Sequence, residues 1–123
     1  MKSILLVITG GAIGSLLRYF VAVWMKNIYT GIFPWHTLFV NLAGCLVAGI
    51  MLAWSLHHLS FENIRLFVMI GILGGFTTFS GFGLEVFAML KERQVAMAIG
   101  YLLGSNIFGL CCVYLGYQAY SLV

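Results

Sequence analysis

The chain has 123 residues, of which 63% are hydrophobic and 7% charged, and its mean hydropathy is +1.08. A soluble domain of this length cannot bury so much apolar surface. The composition therefore predicts one all-α integral membrane domain spanning 1–123 in a lipid bilayer. Six Lys/Arg against three Glu leave a net charge of +3, too weak and too scattered for nucleic-acid binding.

The N-terminus, Met1 to Phe20, has a charged start and an apolar run like a signal peptide, but no convincing cleavage site follows and Arg18 interrupts it. It reads as a retained first helix. Apolar segments of spanning length cover about 4–25, 37–55, 66–90 and 95–121. Each has about 19 or more residues, enough for a ~30 Å hydrocarbon core. The connections are short. The first holds Asn27, Gly31 and the only proline, Pro34; the second holds His57, His58, Ser60 and Glu62; the third is Lys91-Glu92-Arg93. Ser60 is a partial match to a helix cap, with Asn63 three residues on. His36, His57 and His58 fall in or beside these loops and take no metal or catalytic role. Cys45, Cys111 and Cys112 lie in apolar runs and read as buried thiols.

With four spans, Lys2 and Arg65 lie on one side of the membrane and Lys26, Lys91 and Arg93 on the other. That is almost no positive-inside bias, so the instruction about orientation is weak. Two opposed copies can then pair about an axis in the membrane plane. Gly10 with Gly14, Gly44 with Ala48, Gly71 with Gly75 and Gly100 with Gly104 carry the small-residue spacing of close helix contacts, which suits an oligomer.

The third span contains Gly71-Ile-Leu-Gly74-Gly75-Phe-Thr77-Thr78-Phe79-Ser80-Gly81-Phe82. Glycines and β-branched threonines are poor helix formers, and the stretch is expected to break the span near the bilayer midplane. Unwound backbone in lipid must be buried in protein or line a polar cavity, where its free groups can bind ions. The alternative is a glycine packing face. Arg18 in the first span either draws anions to a vestibule or snorkels to the interface. Asn41 offers uncharged amide donors to an anion, or an interhelical hydrogen bond. Phe79 and Phe82 share a helix face; their electropositive ring edges can meet an anion, or they are ordinary apolar side chains. Ser80 between them adds a hydroxyl. Glu85, one turn on, reads as an interfacial or interhelical hydrogen-bond acceptor. Tyr101 and Ser105, four apart, put hydroxyls on one face, for an anion or for a neighbouring helix. No phosphate-cradling, nucleophilic or paired acid–base motif is present, which argues against an enzyme.

Three motifs in this order resemble the Fluc (CrcB) family of fluoride channels. They are Gly10-Gly-Ala-Ile-Gly14-Ser-Leu-Leu-Arg18-Tyr19, Thr37-Leu-Phe-Val-Asn41-Leu-Ala-Gly44, and Gly74-Gly-Phe-Thr77-Thr78-Phe79-Ser80-Gly81-Phe82 with Glu85. The resemblance implies an antiparallel, dual-topology homodimer in a prokaryotic plasma or inner membrane, with two pores that pass fluoride out of the cytoplasm. It implies that Asn41, Phe79 and Phe82 line the pores, with Ser80, Tyr101 and Ser105 on a polar track and Arg18 near a vestibule. It also implies that the backbone carbonyls of Gly74 and Thr77 hold a structural sodium at the dimer axis. Gly81 stands where the family commonly has Thr, and Gly109 and Val113 stand where the polar track would continue. Neutral donors suit the task, because conduction needs sites that attract the ion yet release it. An alternative is a proton-coupled exporter resembling the small multidrug resistance transporters. Those need a carboxylate in the first span, and here that span carries Arg18 and no acid.

Overall fold

The computed structural model describes residues 1–56 and 61–121. Ser60, with the cap suggested for it, and His57 and His58 lie outside the described residues. Four helical stretches are long and apolar enough to cross a membrane: Lys2–Ile28, Trp35–Ser55, Glu62–Lys91 and Val95–Ser121. The helices are α1 (Lys2–Ile28), α2 (Trp35–Ser55), α3 (Glu62–Ile64), a π-helical segment Arg65–Leu73, α4 (Gly74–Phe76), α5 (Phe79–Lys91) and α6 (Val95–Ser121).

The four-span expectation therefore holds, with ends a few residues longer than hydropathy suggests. The interfacial residues that extend them are amphipathic. Lys2 and Lys26 carry long aliphatic stems, and Trp35 opens α2 directly after Pro34, whose missing N–H a helix start tolerates. Glu62 and Arg65 pair at 3.1 Å at the start of the third span.

Two packing units build the molecule. In the first, α1 lies against the π-helical segment and α4. Here backbone meets backbone. A Cβ at Gly71 would sit 2.9 Å from the Gly10 Cα, one at Gly14 would sit 2.9 Å from the Phe76 nitrogen, and one at Gly75 would sit 3.0 Å from the Ser15 nitrogen. The paired small residues of the first and third spans thus face each other. In the second unit α2 lies along α6. Its close approach uses Gly49 against Tyr117 and Gly116 against Ile50, at 2.9 and 3.1 Å for an added Cβ. Gly100, by contrast, has nothing within 4 Å of such a Cβ, and Gly104 meets only Phe108 of its own helix. Spacing alone could not tell which glycines of the fourth span make contact, since both sets fit a helical repeat.

The third span is irregular twice. Its first half is π-helical from Arg65 to Leu73, a wide turn that is rare outside functional regions. Then α4 ends at Phe76, and Thr77 (φ −80°, ψ 159°) and Thr78 (φ −148°, ψ 122°) are extended before α5 begins at Phe79. Thr78 caps the new helix, its hydroxyl accepting from the Gly81 N–H at 3.0 Å. At the other end α5 closes with Arg93 at φ 60°; the Gln94 N–H donates to the Met89 carbonyl (2.8 Å) and the Arg93 N–H to that of Leu90 (3.0 Å). This is a Schellman turn with arginine at the left-handed position where glycine is usual, and it sends the chain straight back into α6.

Candidate functional site

Two extended residues in the middle of a span leave backbone groups that lipid cannot satisfy. Side chains from the first two spans satisfy them. The Asn41 amide pairs with Thr78 on both edges: its Nδ2 donates to the Thr78 carbonyl at 3.1 Å, and its Oδ1 accepts from the Thr78 N–H at 2.8 Å. In effect α2 lends one peptide-like group to the interruption. Arg18 Nη1 donates to the Thr77 carbonyl at 3.2 Å. Of the two uses the sequence left open for Asn41, the interhelical hydrogen bond is therefore made. Its amide keeps one N–H with no protein acceptor among the described residues. The Arg18 guanidinium is half-buried beside Thr77.

Asn41, Thr77 and Thr78, though not Arg18, border a cavity of about 450 Å³. Asn41, Gly74, Thr77, Thr78, Phe79 and Phe82 line one side of it, and Ser105 lines the α6 side. The Ser105 hydroxyl is buried and has no hydrogen-bond partner among the described residues. The rings of Phe79 and Phe82 lie 5.9 Å apart at 38°. Phe79 is 84% exposed in the single chain, whereas Phe82 is buried at 7%.

The structure separates the remaining residues from this cavity. Ser80 is exposed, with its hydroxyl 3.4 Å from that of Thr78. Tyr101 is buried on the far side of Phe82, their ring centroids 5.0 Å apart, and its hydroxyl donates to Glu85 Oε2 at 2.8 Å. The Tyr101 and Ser105 hydroxyls thus serve different surroundings, although the residues are one helix turn apart. Thr37, buried at 3%, donates to Glu85 Oε1 at 2.5 Å, in the range of a short charge-assisted bond. Glu85 is thus the interhelical acceptor its position suggests, with α2 on one oxygen and α6 on the other. His36 Nε2 stands 3.5 Å from the same Oε1. Thr37 and His36 had no individual signal in the sequence. A hydroxyl and an imidazole in the first turn after Pro34 were the available hint, and it named no partner.

The carbonyls of Gly74 and Thr77 fit a hard cation in chemistry: both are neutral oxygens beside the cavity. The Thr78 N–H, the usual partner of the Gly74 carbonyl in a continuing helix, goes to Asn41 instead. Space exists too, since a Cβ on Gly74 would meet only the Met69 carbonyl, at 4.0 Å. One lone pair of the Thr77 oxygen is engaged by Arg18. Two carbonyls fall short of the roughly six oxygens such ions take, so one chain alone does not make a full site.

The family model described as CrcB-like protein, Camphor Resistance (CrcB), matches residues 5–117. A protein of Thermus thermophilus, named fluoride-specific ion channel FluC, is 45% identical over 114 residues, covering 93% of this chain and 90% of the relative. The FluC of Rhizobium meliloti is 39% identical over 94% of both chains. That of Helicobacter pylori is 43% identical over 88% of this chain and 85% of its own. With four spans and bacterial relatives of matching extent, this is a multi-pass bacterial membrane protein. The chain belongs to the CrcB family.

Proposed function

We propose that this chain is a passive, fluoride-selective channel. Its relatives are named for that activity, and the observation that carries the reading here is the shape of the interruption. Thr77 and Thr78 leave the helix, Asn41 holds the Thr78 backbone, and the result faces a cavity that Ser105 and Phe79 also line. An amide N–H, a hydroxyl and ring edges are neutral donors. Together they replace part of an anion's water shell, and none holds it as a full cation would. Arg18, already hydrogen-bonded to the Thr77 carbonyl, adds positive potential beside the passage without facing the ion alone. Being passive, the pore exports fluoride only as gradient and voltage dictate. An inside-negative potential favours anion exit by about 2.3 kcal/mol per 100 mV.

In this reading the third span is functionally broken at Thr77–Thr78, and the cavity becomes a pore only against a second copy. Support comes from the weak charge bias, which permits opposed insertion, and from the exposed Phe79, which a partner would cover. Two opposed copies make two equivalent pores. Gly74 and Thr77 from each copy would contribute four carbonyls around an axial sodium, whose chemistry there is fixed positive charge and a tie between subunits. A proton-coupled exporter fits less well. The only acid within the spans away from their ends, Glu85, lies in the third span and already accepts hydrogen bonds from Thr37 and Tyr101.

The test is halide efflux from liposomes holding the purified protein, with a potassium ionophore clamping the voltage. Fluoride leaves and chloride stays if the reading is right. Equal loss of both halides rejects the selective pore, and flux that stops without a proton gradient favours the exporter.

A further inference from the structure

The Glu85 carboxylate lies one ring away from the proposed passage. Its carboxylate bonds Tyr101, and the Tyr101 ring packs on Phe82, which lines the cavity. Thr37 and Tyr101 are neutral donors and leave that charge in place. Among the described residues, the basic group beside it is His36, whose Nε2 lies 3.5 Å from Oε1, too long for a good hydrogen bond and close enough to become one. The His36 side chain is 41% exposed and that of Glu85 23%. The other titratable or charged groups near His36 belong to α1 and the segment that follows it: Tyr19, Lys26 and Tyr29 share a small cavity with it. Lys26 is the one cation among them, and neither it nor either tyrosine is ion-paired with Glu85.

We propose that His36 is a proton-controlled positioning residue for Glu85: when the imidazole is protonated it draws in and neutralises the carboxylate, and fluoride passes faster. This rests on the channel reading above. An imidazole changes charge within the physiological range, near pH 6.5 in the absence of perturbation. At neutral pH the uncompensated carboxylate opposes an anion at the Phe82 wall. At acid pH the pair is net neutral and that opposition falls. Thr37 keeps its bond to Oε1, whose second lone pair accepts from the imidazolium, so no donor is displaced.

The experiment measures initial fluoride efflux, voltage clamped, with the same pH on both sides, at about pH 5.5 and about pH 7.5. Leak from protein-free vesicles is subtracted at each pH to remove passage of undissociated acid through lipid. Wild-type flux should be about threefold higher at the acid pH. His36→Gln should match the wild type at the higher pH and lose the acid increase, while His36→Lys should run at the faster rate at both. Equal pH ratios in wild type and His36→Gln overturn the proposal and leave the channel intact. A wild type that passes no fluoride at either pH overturns the channel and the regulation with it. Solid-state NMR coupling between the His36 imidazole nitrogen and the Glu85 carboxylate carbon gives a readout free of flux. It should strengthen at acid pH, and a coupling that does not change sinks the pairing whatever the variants do.

Discussion

The two halves of the third span are held by opposite means. Before Thr77, the π-helical segment and α4 touch α1 through glycines, with almost no polar side chain involved. After Thr78, α5 is held by the Glu85 carboxylate between Thr37 and Tyr101 and by tilted and edge-on ring contacts from Phe79 through Phe82 to Tyr101 and Phe33. Backbone contact between glycines allows one distance only, because any added atom collides. Hydrogen bonds and rings can adjust by tenths of an ångström. The first half therefore acts as a fixed wall, and the second as the adjustable side. The interruption is the seam, and Asn41 and Arg18 close it from two other spans.

Breaking the fixed wall should have the largest effect. Gly14→Leu drives a branched side chain into the Ile72 carbonyl and the Phe76 nitrogen, where nothing flexible can yield. Overpacking of this kind costs about 3 kcal/mol or more, and the variant should lose its monodisperse peak in detergent gel filtration. Next comes the seam. Asn41→Ala removes both Asn41 hydrogen bonds to the Thr78 backbone, a loss of about 1–3 kcal/mol in a membrane setting, and fluoride efflux should fall by about tenfold or more while some folded protein remains.

On the adjustable side the two phenylalanines should separate stability from conduction. Phe79→Ile changes an exposed ring and should leave the melting temperature within a few degrees while slowing fluoride efflux severalfold. Phe82→Ile should slow efflux and also cost about 1–2 kcal/mol, because its buried ring packs on Tyr101. Tyr101→Phe should have the smallest effect. It removes one bond to Glu85 and keeps the ring stack, so a thermal shift worth about 0.6–1.7 kcal/mol is expected. If Tyr101→Phe proves as damaging as Gly14→Leu, the contrast between a fixed and an adjustable half is wrong.

Hydropathy made the four spans legible, because a bilayer leaves a chain of this composition few other options. Thr77 and Thr78, whose backbone is extended, lie in the stretch of weak helix formers that begins at Gly71. The π-helical run was not legible: Arg65–Leu73 has no side-chain pattern that separates a wide turn from a regular one. Nor was the Glu85 cluster, since nothing local ties Thr37 to a carboxylate 48 positions away. For Asn41 the sequence offered an anion donor or an interhelical hydrogen bond, and it could not name the partner of that bond, the Thr78 backbone, which only the folded seam provides. The same folding puts Tyr101 and Ser105 to different uses, which their four-residue spacing could not express.

The central claim is that fluoride rests against neutral donors at the seam. Solid-state NMR with fluorine-19 as the detected ion tests it directly, by dipolar contact between fluoride and carbon-labelled side chains in lipid. The account predicts contact with the Phe79 ring and the Ser105 side chain. Contact with the Arg18 guanidinium alone, or with none of these groups at fluoride levels that support efflux, would contradict it.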